Sequence, residues 1–411
     1  MELDVTVQLG EKDVFVGHLY QSVRHGLETT SFSYDTSYLT LSEAFSLAPD
    51  MPLGAGSFHS VGLSHLRAFE DCLPDRWGRN LMLRAERTRA REEARAARTL
   101  FETDMLAGVN DETRQGALRI WSKEGRALSP AESGVPREVS IPSLLDAADL
   151  AAIDMNADVR DLLAAGSSLG GARPKASVRD ETGHLCIAKF PKVDEGELAD
   201  VGAWERVALQ LMGECGIRVP TSRLLRVRGR SVLLLRRFDR HGSARVPYLS
   251  GLTAVQGEDG GSYSYLELVE FLEEEGASPE KDIKELWDRA LFTCAVGNTD
   301  NHLRNYGFLR DGAGWRLSPA FDVNVTPGDA PKFLSTSVGL DGNEADVRLV
   351  VELCDYFRLT REEARAHVSR MATALARWRR VARANGIGEV SIANMASCFE
   401  KGISDLRAAA R

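Results

Sequence analysis

Two oxygen-bearing side chains in the second half of the 411-residue chain restrict its fold more than any other feature does. Asp300 and Asn305 stand five positions apart in the polar segment NTDNHLRN, residues 298–305. At this spacing a carboxylate can meet an incoming hydroxyl while an amide oxygen reaches Mg²⁺ on the far side of the same short loop, as in kinase catalytic loops. An Asp followed by such an Asn also arises about once by chance in a chain of this composition. Clusters of Asn and Asp commonly form turns and helix caps, so the loop needs support from other segments.

The segment after this loop supplies a second candidate ligand. Residues 309–317 read as a hairpin that turns at DGAG, residues 311–314, and PAFD follows at 319–322. Asp322 therefore stands where kinase-like folds place their second metal ligand. One amide and one carboxylate suit Mg²⁺, which binds few protein ligands besides phosphate oxygens and water. The alternative is an acid in a turn after a strand.

A glycine-rich segment, GSSLGGARPK at 166–175, lies upstream. Backbone amides in such a loop can approach phosphates closely. The segment matches neither GxGxxG nor GxxxxGK[ST], and a flexible linker would look similar. Lys189 ends the apolar strand predicted at 185–190. It is either a phosphate-pairing lysine or an edge residue that extends its ammonium group to solvent.

The order of the remaining features strengthens this interpretation. Glu205 lies in a helix predicted at about 197–215, where it could orient Lys189 as an ion-pair partner or remain a surface glutamate. The segment RFDR, 237–240, follows a strand predicted at 231–235 and could join two lobes and pack on an adenine ring. Glycine-rich loop, strand lysine, helical glutamate, hinge, Asp-x4-Asn loop, hairpin and metal-binding Asp would rarely follow one another in a different fold.

The rest of the chain predicts an α+β protein with a two-lobed, protein-kinase-like fold, a small β-rich N-terminal subdomain and an all-helical C-terminal lobe. Short strands are expected in the first sixty residues, including one over Thr29–Leu39, and helices over 68–102 and 144–164. The capping box TREE, 360–363, opens a helix expected to reach about Asn385. We predict an N-terminal domain at 1–135, an N-lobe at 136–245 and a C-lobe at 246–411.

Composition excludes several classes of protein. The net charge of −9 argues against nucleic-acid binding through overall charge. The six cysteines form no CxxC pair, which predicts reduced structural thiols and makes a cysteine metal site improbable. The N-terminal residues form no signal sequence, and no apolar run is long enough for a membrane span, so we expect a cytoplasmic protein.

Taken together, these motifs resemble those of the HipA family of bacterial toxin kinases over nearly the whole chain. The resemblance rests on short segments in both halves: FEDCLPD at 69–75, SLGGARPK at 168–175, AKFP at 188–191, FDR at 238–240, NTDNH at 298–302 with Asn305, and FD at 321–322. Two positions depart from the usual family pattern. The glycine-rich loop ends in Arg173-Pro174-Lys175 instead of Gln-x-Lys, and Arg236 stands where an acidic residue is common.

The resemblance implies a role for each motif. Asp300 would be the catalytic base, Asn305 and Asp322 would bind Mg²⁺, Glu205 would orient Lys189, and Ser168, with Ser167 as the alternative, would be autophosphorylated. The residues that would surround ATP are Gly170, Gly171, Ala172, Arg173, Pro174, Lys175, Lys189, Arg236, Arg237, Phe238, His302, Leu303, Arg304, Asn305, Phe321 and Asp322. The family also implies a small DNA-binding antitoxin of the HipB type as partner, with DNA contacted only through it.

The function expected from these observations is an ATP- and Mg²⁺-dependent serine/threonine protein kinase that serves as the toxin of a toxin–antitoxin pair. Its expected substrate is a translation-related protein, since some family members phosphorylate aminoacyl-tRNA synthetases. Two alternatives remain open. One is a phosphotransferase that acts on a small molecule, and the other is a catalytically silent module that holds a repressor. The serine-bearing loop and the N-terminal domain disfavour the first, and the intact catalytic set disfavours the second.

Overall fold

The structure is a computed structural model that describes residues 1–63, 65–126, 128, 134–155, 157–166, 173–196, 198–340 and 342–411. The described chain forms two compact units. The first comprises Met1–Val193 and Leu234–Leu249, and the second comprises Asp194–Leu233 and Ser250–Arg411.

Strands dominate the start of the chain and helices dominate its end. The strands are β1 Glu2–Leu9, β2 Lys12–Arg24, β3 Leu27–Tyr34, β4 Phe58–His59, β5 Leu118–Ser122, β6 Lys175–Arg179, β7 Leu185–Lys189, β8 Ser222–Val227, β9 Arg230–Arg236, β10 Arg240–His241, β11 Ala244–Arg245, β12 Tyr248–Ser250, β13 Tyr263–Ser264, β14 Gly307–Asp311, β15 Gly314–Leu317 and β16 Thr336–Ser337. The helices are α1 Thr36–Leu39, α2 Arg67–Glu70, α3 Arg76–Glu92, α4 Glu102–Gly108, α5 Ile141–Ile153, α6 Arg160–Ala164, α7 Val201–Glu214, α8 Gly251–Ala254, α9 Tyr265–Glu275, α10 Pro279–Val296, α11 Val347–Glu352, α12 Arg361–Leu375, α13 Trp378–Ala384 and α14 Glu389–Ala409.

A five-stranded sheet in the order β4-β3-β2-β1-β5 opens the first unit, as the alternating sequence predicts. Leu3, Val5 and Val7 are buried on one face of β1, and the residues between them are partly exposed. The predicted strand over Thr29–Leu39 is wrong beyond Tyr34. The Asp35 side chain accepts a hydrogen bond from the backbone amide of Ser37 and so begins α1.

The charged segment predicted to be helical over 68–102 forms α2 and α3 and leads into α4. Helix α3 begins at Asp75, whose carboxylate accepts a hydrogen bond from the Gly78 amide at 2.7 Å. Strands β6 and β7 pair antiparallel, with Lys175 directly opposite Lys189. The predicted helical region 144–164 consists of α5 and α6.

Buried helices form the core of the second unit. Helix α10 buries Trp287, Leu286 and Phe292 completely. Its backbone lies so close to α14 that a Cβ atom at Gly402 would come within 1.9 Å of the Ala295 carbonyl oxygen. The two helices therefore pack through direct backbone contact at this point.

The predicted capping box forms, because Thr360 and Glu363 each accept a hydrogen bond from the other's backbone amide. The prediction of one helix to Asn385 is wrong, since the chain turns after α12 and begins again as α13. The turn directs Trp378 into the core, where its ring stacks on Phe399 with a centroid distance of 4.5 Å. The free energy gained by burying Trp378 outweighs the free energy lost by interrupting the helix.

The six cysteines are free, buried thiols. Burial raises the pKa of Cys72 to about 12, despite the opposing effect of the Arg114 guanidinium. This value indicates that Cys72 is an unreactive core residue. Among the described helices, none combines the length and the apolar composition that crossing a bilayer requires.

Candidate active site

The loop that contains Asp300 begins where α10 ends. Gly297 takes up a left-handed conformation with φ +59°, and a Cβ atom there would lie 2.4 Å from Cδ of Lys332. Glycine suits this position because it tolerates positive φ and leaves space for the lysine. The chain then enters the polar segment 298–305, which ends in a short 3₁₀ turn over Leu303–Asn305.

The predicted catalytic base and one predicted Mg²⁺ ligand are linked directly. The Asn305 side-chain amide donates a hydrogen bond to the Asp300 backbone carbonyl at 2.7 Å. The Asp300 side chain is 58% exposed, and its Oδ1 atom lies 3.7 Å from Nε2 of His302. A carboxylate this accessible can meet a hydroxyl of another molecule. The bond from Asn305 uses the amide nitrogen and leaves its carbonyl oxygen as a candidate metal ligand.

Sequence reasoning missed the residue that anchors the loop. Asn301 is only 1% exposed. Its Oδ1 atom accepts hydrogen bonds from the backbone amides of Ser335 at 2.8 Å and Thr336 at 3.3 Å, and its Nδ2 atom donates to the Thr336 carbonyl at 2.9 Å. Nδ2 also donates to the Tyr265 hydroxyl at 3.3 Å. Asn301, which directly follows Asp300, is therefore held against the backbone at strand β16.

The predicted hairpin brings Asp322 to the same end of β14 and β15 as Asn305. Phe308 pairs with Leu317, and the Ser318 amide donates to the Gly307 carbonyl at 2.8 Å. Asn305 lies two residues before this last pair and Asp322 four residues after it. The short hairpin thus places a side-chain amide and a carboxylate at one edge, as the sequence predicts.

The backbone of Asp322 is held by Glu205. Asp322 has φ +56°, a left-handed conformation that is uncommon for a residue with a side chain. Its backbone amide donates to Oε1 of Glu205 at 3.2 Å, and Glu205 is only 2% exposed. Glu205 is therefore no surface residue and contributes to this site by fixing Asp322.

A buried charge cluster supports the segment that carries Asp322. Asp282 is 1% exposed and accepts hydrogen bonds from Arg218, Arg316 and the Leu317 backbone amide at 2.7, 2.6 and 3.0 Å. Burial tends to raise the pKa of nearby Glu285, but Arg289 and Arg218 outweigh it and hold that pKa below its ordinary value. The same Arg289 donates to the Ser318 carbonyl. The cluster therefore fixes strand β15 and Ser318, four residues before Asp322.

These residues fit a magnesium ion bound together with a nucleotide. Asn305 and Asp322 offer one amide and one carboxylate oxygen, and the remaining positions suit phosphate oxygens and water. The residues that the structure describes contain no group of three or more His, Cys, Asp or Glu side chains that could hold a metal by themselves. With only two protein ligands, the coordination of the ion would therefore be completed by a phosphate-bearing ligand.

Two predicted nucleotide contacts in the first unit lie in buried networks. Lys175 is 3% exposed and contacts Oδ2 of Asp75 at 2.5 Å. Arg237 is 4% exposed, and its Nε atom donates to Asp239 at 2.8 Å. Arg237 also donates to the Thr113 carbonyl. Neither side chain is exposed to a ligand in this arrangement.

The other predicted contacts vary in exposure. Leu303 and Pro174 are buried, His302 is exposed, and Arg173, Lys189, Arg236, Phe238, Arg304 and Phe321 are half-buried. Phe238 stands near Tyr248, with ring centroids 6.5 Å apart, and Arg304 pairs with Asp259 at 2.8 Å. The predicted serines Ser167 and Ser168, with Gly170, Gly171 and Ala172, lie outside the described residues. The ATP contacts therefore remain predictions.

Comparison with known proteins identifies relatives of both halves of the chain. A family model described as HipA-like C-terminal domain matches residues 167–379, and one described as HipA N-terminal domain matches residues 7–100. A protein named "Putative kinase Y4mE" from Sinorhizobium fredii (strain NBRC 101917 / NGR234) is 27% identical over 243 residues, which are 51% of this chain and 54% of the relative. The chain thus spans about half the length of this curated relative.

A solved structure shows the same fold over almost the whole chain. HipA of Shewanella oneidensis MR-1, determined as a toxin–antitoxin complex with HipB and operator DNA, is similar with a TM-score of 0.68 and 16% identity. The similarity covers 99% of this chain and 97% of the other. It confirms the kinase-like α+β fold class that the sequence predicts. Because the C-terminal family model alone matches more than half of the residues, the chain belongs to the HipA family.

Proposed function

We propose that this chain is an ATP- and Mg²⁺-dependent serine/threonine protein kinase and the toxin of a bacterial toxin–antitoxin pair. The observation that carries the proposal is the hydrogen bond from the Asn305 amide to the Asp300 carbonyl. It holds an exposed carboxylate and a candidate metal ligand in one short loop. The Glu205–Asp322 bond, which positions the second oxygen ligand at the same end of the hairpin, supports the proposal.

The mechanism that follows is in-line transfer of a phosphoryl group to a serine or threonine hydroxyl. The site could hold Mg²⁺, which would supply positive charge to offset the negative charge that develops on the phosphates. Asn305 and Asp322 would hold the ion, and Asp300 would orient the hydroxyl and accept its proton. Lys189 would contribute positive charge at the phosphates. These groups supply positioning and electrostatic stabilisation, which is most of what a loose phosphoryl-transfer transition state needs.

The partners we propose follow from family membership. The Shewanella relative was solved with HipB and operator DNA, and we infer a small HipB-type antitoxin for this chain, with DNA reached only through it. The proposed substrate is a protein of translation, with aminoacyl-tRNA synthetases as the first candidates.

We also propose self-phosphorylation at Ser168, with Ser167 as the alternative. The modification would add about 1.5 to 2 negative charges to a loop that must accept ATP phosphates. We therefore expect it to prevent ATP binding and stop activity. A fully phosphorylated sample that binds ATP as tightly as the unmodified protein would contradict this regulatory role.

The test of the proposed chemistry is the substitution Asp300→Asn. With radiolabelled ATP, Mg²⁺ and a cell extract, we expect protein labelling to fall by roughly 10²–10⁴-fold, because the proton acceptor is lost. ATP affinity and melting temperature should stay near those of the wild type. Asp311→Asn is the matched control, since Asp311 is an acid of similar exposure, 65% against 58% for Asp300, at the end of β14. This control should label normally.

The other outcomes identify which interpretation is wrong. Undiminished labelling in D300N would exclude Asp300 as the base. Transfer to sugars or antibiotics instead of proteins would indicate a small-molecule phosphotransferase. An intact protein that binds an antitoxin but neither binds nor consumes ATP would be a silent repressor-binding module.

A further inference from the structure

The candidate catalytic loop is closed on its buried side by the hydroxyl of Tyr265. This hydroxyl accepts a hydrogen bond from Nδ2 of Asn301 at 3.3 Å and lies 2.5 Å from the hydroxyl of Tyr306. Asn301 directly follows Asp300, and Tyr306 directly follows Asn305. On the exposed side, the Asn305 amide donates to the Asp300 carbonyl at 2.7 Å. One phenol therefore connects the neighbour of the proposed base with the neighbour of a proposed metal ligand.

The two tyrosines lie in the core of the second unit. Tyr265 is completely buried and Tyr306 is 5% exposed, and their rings meet edge to face with centroids 5.4 Å apart. Thr293 of α10 is hydrogen-bonded to both phenols. Burial raises the pKa of Tyr265, so its hydroxyl stays protonated and can donate and accept at once. A phenylalanine would fill the same space without the desolvation of a hydroxyl, so the hydroxyl contributes through its hydrogen bonds.

Tyr265 itself has a rigid support. It is the first residue of α9, which begins with a capping box between Ser264 and Glu267. Strand β13, which ends at Ser264, pairs in parallel with β16. Thr336 of β16 also exchanges hydrogen bonds with the Asn301 side chain at 2.9 and 3.3 Å. The same strand pair therefore holds both Tyr265 and the residue that follows the proposed base.

We propose that Tyr265 is a positioning residue of the phosphoryl-transfer site, whose hydroxyl fixes the spacing between Asp300 and Asn305. This inference rests on the proposed kinase function. Because Tyr265 is buried, it acts through Asn301 and Tyr306 and not by contact with a substrate. Such positioning matters because a displacement of about 1 Å in a catalytic group can slow a reaction by roughly 100-fold.

The variant that tests this role is Tyr265→Phe, which keeps the ring and removes the hydroxyl. Tyr38→Phe is the matched control in the first unit. Tyr38 is also completely buried, and its hydroxyl donates to the Phe45 carbonyl at 3.0 Å and accepts from the Phe45 amide at 3.1 Å. Both variants lose a buried, hydrogen-bonded hydroxyl, so we expect both to melt at a lower temperature than the wild type.

The first measurement needs neither nucleotide nor metal. Amide hydrogen exchange, followed by mass spectrometry on the full-length protein, reports how often the segment 298–306 opens. We expect this segment to exchange roughly fivefold faster in Y265F than in the wild type, because one buried hydrogen-bonded connection is lost. In Y38F its exchange should equal that of the wild type.

The second measurement is the rate at which proteins of a cell extract are labelled from radioactive ATP at saturating Mg²⁺ and ATP. We expect Y265F to lower this rate roughly tenfold, because the proposed base is held less firmly. Y38F should stay within about twofold of the wild type, since the affected hydrogen bonds are remote from the loop. In the D300N background, Y265F should slow labelling by no more than about twofold, because the base through which it acts is already gone.

Tyr306→Phe tests the metal-ligand side of the loop separately. It removes the bond between the two phenols and leaves the hydrogen bond from Asn301 to Tyr265 in place. We expect Y306F to need more Mg²⁺ for half-maximal labelling, and to lose less of the rate at saturating Mg²⁺ than Y265F does. Should Y265F fail to fold, unchanged loop exchange and an unchanged Mg²⁺ requirement in Y306F would overturn the inference.

The outcomes separate this inference from the proposed function. If the wild type labels proteins and Y265F matches Y38F in loop exchange and rate, the positioning role is wrong while the kinase proposal stands. A rate loss of equal size in the wild-type and D300N backgrounds would show a general loss of structure and would also overturn the role. If the wild type transfers no phosphate to any protein, the proposed function fails, and this inference fails with it.

Discussion

Asn301 shows that the most important side chain of the candidate loop need not perform the chemistry. Its amide makes four hydrogen bonds to Tyr265, Ser335 and Thr336 while almost wholly buried. The adjacent Asp300 is open to solvent. This arrangement gives the accessible Asp300 carboxylate a rigid support, because every donor and acceptor of the neighbouring Asn301 side-chain amide is hydrogen-bonded.

We therefore predict that Asn301→Ala destabilises the second unit by about 3 kcal/mol, since it leaves at least two buried backbone groups without partners. Urea unfolding followed by tryptophan fluorescence would measure the change. Asn343→Ala is the control, because Asn343 is exposed and donates one hydrogen bond, to the Leu334 carbonyl. An N301A protein as stable as N343A would show that the observed hydrogen bonds contribute little.

Individual residues also mark how far sequence reasoning reaches at the candidate site. The Asp300–Asn305 loop follows from local spacing, and the short hairpin is enough to place Asp322 at the same end of β14 and β15 as Asn305. Lys175 pairs with a residue 100 positions away, and no local pattern reveals such a partner. Asn301 stands among other Asn and Asp residues, and only tertiary structure shows which of them is buried.

At the scale of elements, the helices and strands of the second unit agree with the sequence-based predictions where local caps and turns determine them. The capping box at Thr360 and the turn of the β14–β15 hairpin were both predictable, because each depends on residues within four positions. The end of α12 was not, because the burial of Trp378 against Phe399 decides it and Phe399 belongs to α14. Local propensity locates the start of this helix, and long-range packing decides its end.

The contact between α10 and α14 yields a prediction about one glycine. Gly402→Ala should destabilise the protein by about 1–3 kcal/mol or more, because the added methyl group would overlap the Ala295 carbonyl oxygen. Gly213→Ala is the matched control in helix α7, where the nearest atom to the new Cβ is 3.6 Å away in Val219. Alanine should stabilise that helix by roughly 0.5–1 kcal/mol.

Thermal and urea denaturation of both glycine variants would measure these opposite effects. The comparison isolates close packing from helix propensity, because both substitutions are glycine to alanine within a helix. Equal stability of G402A and G213A would mean that α14 can move away from α10 at no cost.

For the whole molecule, a buried histidine links stability to pH. His65 is completely buried, accepts a hydrogen bond from the Leu66 amide at Nδ1, and stands edge-on to Phe69. Burial lowers its pKa to about 4, although the carboxylates of Glu28 and Glu102 favour the charged form. The unfolded chain, with an ordinary histidine pKa near 6.5, therefore binds more protons than the folded chain between these two values.

Stability of the first unit should consequently fall as the pH decreases from 6.5 toward 4. We expect a loss of about 2 kcal/mol between pH 7 and pH 5 from this group alone. Urea unfolding at the two pH values would measure it. The His65→Gln variant should lose this part of the pH dependence, whereas His59→Gln, at an exposed position, should behave as wild type. A wild-type slope that persists in H65Q would assign the effect to other groups.

The fold class was predictable for the whole molecule, but the composition of its two units was not. The sequence predicts three consecutive domains, and those boundaries remain predictions. The contacts group residues 194–233 with the helical second unit and return residues 234–249 to the first, with the change inside β9. Neither hydrophobic periodicity nor loop composition signals this change, because it falls within the apolar run VLLL, 232–235, of a single strand.

Because the chain passes from the first unit to the second and back again, the order of synthesis on the ribosome affects folding. Trp204 on α7 packs against Trp378 and Phe399, which are translated long after it. The first unit cannot be completed until residue 249 has been made, and by then α7 has been made without its aromatic neighbours. The nascent chain therefore carries this apolar helix without its aromatic neighbours while the 164 residues from position 214 to 378 are added, and this interval should make its yield sensitive to chaperones.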